Sequence, residues 1–271
     1  MFYKAKNGKV VFDDKVIDYI TFGKGSVNLI MIPGVGDGLK TVKGLAIPFA
    51  LMYRKYAKDF KVYVFSRRRN LPCGYSTLEM ANDIIESMEI LNIDKAHIVG
   101  VSQGGMIAQH LAINNPDKVS KLVLAITSSK PNELLIDSVD TWVLQLKNND
   151  FKAMMIDNCQ RSFVGKELKK MVSLYKNFSF LAKPKSYDRF IYQALSCKEH
   201  NAYEKLNEIK HQTLVIGAKL DGILGVEASY EIHKSIANSK IHIFDEYSHG
   251  VYETQEFNDV IIDFLKESER Q

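Results

Sequence analysis

A chain of 271 residues, 46% hydrophobic and 25% charged, has the composition of one large folded domain, or of one domain with an insertion, and this excludes a disordered polymer. Its 36 Lys and Arg against 32 Asp and Glu leave a net charge of +4 scattered along the chain, with one dense cluster at Arg67, Arg68 and Arg69, so neither nucleic acid nor a membrane is an expected partner. No stretch approaches the ~18 uninterrupted apolar residues of a membrane span. The opening MFYKAKNGKV has no signal-peptide run, and Cys73, Cys159 and Cys197 stand far apart with no CxxC, so three reduced thiols in the cytoplasm and no metal site are expected. Oligomeric state is left open.

From about Gly8 to Phe22 apolar and polar residues alternate around Asp13-Asp14, which predicts an antiparallel hairpin on one sheet edge. VNLIMI at 27–32 predicts the first central strand, ending in PGVGDG at 33–38. A helical pattern covers 45–58, and KVYVF at 61–65 is the next strand. Ser76 and Glu79 form a capping box, with Tyr75 and Met80 as its hydrophobic staple, for a helix running to about Leu91. A strand at 96–100, a helix at 104–114 and a strand at 121–125 follow.

Between about Ser128 and Asn207 the strand rhythm stops. This segment holds Trp142 and many aromatics and methionines: Phe151, Met154, Met155, Phe163, Tyr175, Phe178, Phe180, Tyr187, Phe190 and Tyr192. It predicts a helical insertion whose aromatics and methionines mostly form its own core, a minority lining an apolar pocket. Strands at 213–217 and 240–244 and helices at 226–237 and 254–267 complete the chain. Most of these strands are continuous apolar runs, as in strands buried on both faces of a parallel sheet. Strand alternating with helix predicts a doubly wound α/β core from residues 1–127 and 208–271, interrupted by an insertion at 128–207.

GVSQGG at 100–105 places Ser102 between a buried strand and a helix. A sharp turn there holds the serine in strained backbone geometry and projects its Oγ above the sheet. Strand and helix then pass so closely that side chains at 100 and 104 would collide, hence the glycines. A serine hydroxyl needs a base to take its proton. Of seven histidines, His97 and His242 fall in strands, His110 and His233 in helices, His200 in the insertion, and His211 just before a strand. His249 lies between the last strand and the last helix, at the sheet end that carries Ser102, and is the candidate base. Asp221, after strand 213–217, is the candidate acid to fix the imidazole tautomer. Asp245 and Glu246 are rivals, but they belong to the end of the histidine's own strand. Two amides should meet the anionic intermediate: that of Gln103, after the serine, and that of Val35 in the loop at 33–38. Pro33 has no amide hydrogen to give.

The same loop loosely follows a dinucleotide fingerprint, but Leu39 stands where the last glycine is needed. SRR follows Phe65 where an acidic residue would be expected, which argues against a nucleotide cofactor. The arginines at 67–69 read as a solvated loop paired with surface carboxylates; the sharper alternative is an anion-binding loop.

In this order these residues resemble the α/β-hydrolase superfamily over nearly the whole chain. GVSQG at 100–104 is similar to its nucleophile elbow, NPDKV at 115–119 to its link into the next strand, LVIGAKLD at 214–221 to its acid-bearing strand end, and SHG at 248–250 to its histidine loop. The resemblance implies an α/β-hydrolase sheet with a helical cap, a Ser102–Asp221–His249 triad and oxyanion amides at Val35 and Gln103. Pro33-Gly34 departs from the frequent His-Gly of that loop, and Gly225 stands where proline is common. Serine at 102 sets the chain apart from branches with an aspartate nucleophile. The activity implied is a serine hydrolase, a carboxylesterase cleaving a small or medium acyl ester without cofactor or metal. Carbon–carbon, lactone or thioester hydrolysis, or a slowly hydrolysing small-molecule receptor, are the alternatives. A histidine base must be neutral, so the rate should rise with pH through about 6–7.

Overall fold

The computed structural model describes residues 2–267. One sheet of eight strands runs in the order β1-β2-β4-β3-β5-β6-β7-β8. The edge hairpin is β1 (Lys6–Phe12) and β2 (Lys15–Phe22), turning through Asp13, which has a positive φ. β2 runs antiparallel to β4 (Phe60–Arg68). From β4 onward, β3 (Val27–Ile32), β5 (Ala96–Val101), β6 (Val119–Ala125), β7 (Gln212–Ala218) and β8 (Ser239–Phe244) pair in parallel.

The parallel strands are buried on both faces because helices cover both. Alternate side chains enter two separate apolar clusters. Ile30, Ile32 and Ile98 pack with α3 (Thr77–Ile90), α4 (Gln103–Asn114) and α9 (Glu227–Ser235). Leu29, Met31 and Val99 pack on the other face with α1 (Ala46–Met52), α2 (Tyr56–Asp59) and α10 (Gln255–Lys266). The predicted helix at 45–58 is thus two pieces. The chain turns at Tyr53 so that Tyr56, 1% exposed, enters the core and its hydroxyl donates to Asn258 Oδ1 at 3.0 Å. The expected capping box opens α3: Glu79 N donates to Ser76 Oγ, and Ser76 N to Glu79 Oε2.

Residues between β6 and β7 form four helices: α5 (Glu133–Lys147), α6 (Phe151–Ser162), α7 (Gly165–Ala182) and α8 (Asp188–Glu199). They surround a third apolar cluster that includes Trp142, Phe151, Met154 and Phe190. The strand order reverses across β3. The loops leaving β3 and β5 therefore meet above the carboxyl ends of the strands, where α/β sheets open a crevice. Among the described residues no helix is long and apolar enough to cross a membrane.

Candidate active site

Ser102 occupies the turn between β5 and α4 with φ 56° and ψ −122°, a conformation costly for a residue with a side chain. Its amide donates to the Ala125 carbonyl at 2.9 Å, which ties the turn to β6. The glycines two residues away allow that approach. A Cβ on Gly104 would sit 1.9 Å from the Ile32 carbonyl oxygen, and one on Gly100 would sit 2.4 Å from the Gly104 oxygen. The β3 loop also lies beside the serine: a Cβ on Gly34 would be 3.2 Å from Ser102 Cβ and 3.6 Å from its Oγ.

His249 reaches the serine from the loop after β8. Its Nε2 lies 3.1 Å from Ser102 Oγ and its Nδ1 lies 2.8 Å from Asp221 Oδ2. With the proton on Nδ1, Asp221 accepts it and Nε2 is left to accept from the serine hydroxyl. His249 is 5% and Asp221 7% exposed, so the relay is shielded from water. Burial by itself would raise the Asp221 pKa. His249 and the amides of Ile223 and Leu224 outweigh burial and hold it below the usual carboxylate value. Asp245 is exposed and pairs with Lys219, and Glu246 is exposed too.

The other histidines lie elsewhere. His97 faces the Phe60 ring, His242 the Phe244 ring, and His200 the His110 ring. His211 and His233 bond to the Pro116 carbonyl and Ser239.

Val35 opens a 3-10 turn (Val35–Gly38) and Gln103 opens α4. The first amides of a helix have no partner inside it. Both therefore begin with donors free of intrahelical bonds, beside the serine.

The arginine run departs from its expected reading. Arg69 makes a bidentate pair with Asp18, at 3.0 and 2.6 Å, and Arg68 pairs with Asp14 at 2.9 Å. Arg67 is not solvated. β4 extends through Arg68 and its end is covered on both faces: Ser66, Arg67 and Arg68 are all buried, Arg67 with 3% exposure. It donates to the Pro33 carbonyl and, at 3.0 Å, to Gln103 Oε1.

Several anchoring residues carried no local signal. Arg189 of α8 donates to Asp37 Oδ2 and to the carbonyls of Asp37, Arg67 and Arg68, pinning the β3 loop to the insertion. The Arg161 carbonyl, at the end of α6, accepts from Gly222 N at 3.2 Å and Ser248 Oγ at 2.7 Å, so it links the loops of Asp221 and His249. Two residues of one motif would have flagged these contacts only if their spacing were local. It is not.

Ser102 and His249 open into a cavity of about 460 Å³. Its walls come from two different clusters. Trp142, Met154, Met155 and Phe190 belong to the inserted helices, whereas Tyr53, Phe257 and Ile261 belong to α10 and the chain after α1. Phe163, Met171 and Tyr175 also line it, so seven of the thirteen aromatics and methionines of residues 128–207 face the cavity, more than the expected minority. Phe178 and Phe180 instead face solvent.

The model of the α/β hydrolase fold matches residues 27–256. A 2-hydroxy-6-oxononadienedioate/2-hydroxy-6-oxononatrienedioate hydrolase of Paraburkholderia xenovorans is 26% identical over 267 residues, covering 92% of this chain and 90% of that protein. A 2-hydroxymuconate semialdehyde hydrolase of Pseudomonas sp. is 28% identical over 255 residues, covering 89% and 87%. Among solved structures, an alpha/beta hydrolase enzyme from a Medee basin deep-sea metagenome library superposes with a TM-score of 0.87 at 18% identity, covering 97% of this chain and 99% of that one. The enol-lactonase of Burkholderia xenovorans does so with a TM-score of 0.79 at 16% identity, covering 96% and 100%. With a strand-and-helix order, a serine turn and a family match that agree over most of its length, this chain belongs to the α/β hydrolase fold family.

Proposed function

We propose that this hydrolase is a serine carboxylesterase that cleaves small or medium acyl esters through a covalent acyl-enzyme. The observation that carries this reading is the continuous relay Asp221–His249–Ser102, at 2.8 and 3.1 Å, opening into an apolar cavity. His249 Nε2 accepts the Ser102 proton as Oγ attacks the ester carbonyl. Negative charge then gathers on the carbonyl oxygen, between the amides of Val35 and Gln103. His249 returns the proton to the alcohol oxygen as the C–O bond breaks. Water, deprotonated by His249, attacks the acyl carbon, and Ser102 leaves with the proton. The chemistry calls for no cofactor or metal. Residues 128–207 act as a cap, and a cavity with two differently built walls suits a substrate with two arms, an acyl group and an alcohol.

The relatives named as 2-hydroxy-6-oxo-dioate hydrolases favour a second reading, carbon–carbon bond hydrolysis. The ester is preferred because the cavity wall is mostly apolar, and Lys40 is the one lysine or arginine among the described residues that line it, for a substrate that carries two carboxylates. The deciding experiment is an ester series of graded chain length with Ser102→Ala alongside. Fast multiple turnover by the wild type, with loss of turnover and fluorophosphonate labelling in the variant, is expected. Retained labelling in Ser102→Ala would end the assignment. Rapid cleavage of a 2-hydroxy-6-oxo acid with negligible ester turnover would move it to the second reading.

A further inference from the structure

Arg67 joins the two backbone segments that carry the proposed oxyanion donors. Its Nη2 donates both to the Pro33 carbonyl, two residues before Val35, and to the side chain of Gln103. Gln103 is fixed further by its Nε2, which donates to the Gln193 carbonyl at 2.7 Å and lies 3.2 Å from Ser196 Oγ. One guanidinium thus bridges the loop after β3 and the start of α4, two segments that meet only in the folded chain.

The charges around it are unbalanced. Asp37 Oδ2 accepts from the Arg67 amide at 3.0 Å and from the Arg189 guanidinium. Asp37 Oδ1, Arg67 Nε and Arg67 Nη1 have no hydrogen-bond partner among the described residues. Asp37 is thus ion-paired with the part-buried Arg189 guanidinium and meets Arg67 through its amide, so the buried Arg67 guanidinium has no carboxylate of its own and one positive charge is in excess. Burial lowers the Arg67 pKa to about 10, which leaves it charged at neutral pH. An incompletely paired buried cation is unfavourable in the resting protein. An alkoxide held by the Val35 and Gln103 amides would supply the missing negative charge. The attraction then arises in the tetrahedral intermediate and not with a neutral ester. Interactions of that kind raise kcat rather than substrate affinity.

We propose that Arg67 is a positioning residue of the oxyanion pocket, which holds the Pro33–Val35 loop and Gln103 in register and balances the charge that develops there. The inference rests on the Ser102 reading given above, and its test separates the two. Arg67→Met and Arg67→Lys are compared with wild type after counting active sites with a fluorophosphonate. In Arg67→Met, kcat per site falls about 100-fold while KM stays within about threefold. Arg67→Lys, which keeps the charge but not the fork, falls between. A trifluoromethyl ketone, which adds Ser102 to form a tetrahedral alkoxide, loses about 100-fold in affinity relative to the methyl ketone of the same chain. A purely structural arginine would weaken both ketones equally or lower only the number of active sites, and either result overturns the proposal. So does a kcat per site within about threefold of wild type. If Arg67→Met fails to fold, Arg67→Lys gives the same readouts. If the wild type binds the trifluoromethyl ketone but cleaves no ester, the substrate assignment falls and the ketone comparison still decides Arg67. If it binds neither ketone nor fluorophosphonate, both proposals fall.

Discussion

The Asp221 carboxylate is shared between His249 and its own turn: Oδ2 lies 2.8 Å from His249 Nδ1, while Oδ1 accepts from the amides of Ile223 and Leu224 at 2.8 and 3.0 Å. The turn after β7 therefore aims the acid before any substrate arrives. Asp221→Asn would keep the amide bonds through its carbonyl oxygen and present an NH₂ to His249. That favours the tautomer with the proton on Nε2, which can no longer accept from Ser102. A kcat loss of about 10⁴-fold with an intact fold is expected, measured by ester turnover and circular dichroism. A loss below about tenfold would place the orienting acid elsewhere.

Two histidines outside the site make the fold sensitive to acid. His200 Nδ1 lies 2.9 Å from Thr77 Oγ1, its Nε2 lies 3.4 Å from Gln109 Oε1, and its ring centre lies 5.0 Å from that of His110. Burial lowers the His200 pKa to about 3 and the His110 pKa to about 4, aided by His110 and Lys205 respectively, from an ordinary value of 6.5. A folded pKa below the unfolded one means the unfolded chain binds more protons between them. Stability is full above the unfolded value and falls as pH drops from about 6.5 toward about 3. Melting temperature should be flat above pH 7 and decline below it, with a shallower decline in His200→Gln. Equal slopes for the two proteins would remove the histidine from the explanation.

Trp142 combines a structural and a selective role. It is 2% exposed, its Nε1 donates to Asp157 Oδ2 at 2.8 Å, and its ring lies 6.3 Å from that of Phe190 on the cavity wall. Trp142→Ala should cost about 3–5 kcal/mol in urea unfolding and enlarge the cavity. The kcat/KM optimum across p-nitrophenyl esters should then move to longer acyl or alcohol chains. An unchanged optimum would show that this wall does not set chain length.

The three cysteines should differ sharply in reactivity. Cys73 is exposed, whereas Cys159 and Cys197 are buried. Burial pushes the Cys159 thiol up to about 11 and that of Cys197 up to about 12, so neither supplies thiolate at neutral pH. A disulfide reagent at pH 8 should titrate one thiol in the native protein and three in denaturant. Rapid reaction of a second native thiol would mean that the inserted helices open readily.

Much of the fold was legible because it depends on local patterns. VNLIMI and KLVLA are apolar on both faces, and only a strand covered on both sides satisfies that. Ser76 and Glu79 mark a helix start because they bond each other's backbone three residues apart. Ser102, Asp221 and His249 could be picked out because each stands just past a strand end, at the same edge of a parallel sheet. The predicted helix at 45–58 failed where tertiary burial of Tyr56 outweighed continuous helical periodicity.

The sequence by itself determined the order of strands and helices, the serine turn and its glycine clearances, since steric and hydrophobic rules act over a few residues. Only the tertiary structure decided that Asp221 rather than Asp245 faces His249, that Arg67 is buried against Gln103 while Arg68 and Arg69 pair with Asp14 and Asp18, and which side chains of the inserted helices line the cavity. Each of those outcomes turns on a few ångströms between groups tens of residues apart. Such distances are set by how the sheet twists and how the inserted helices pack upon it, and no local pattern in the chain encodes them.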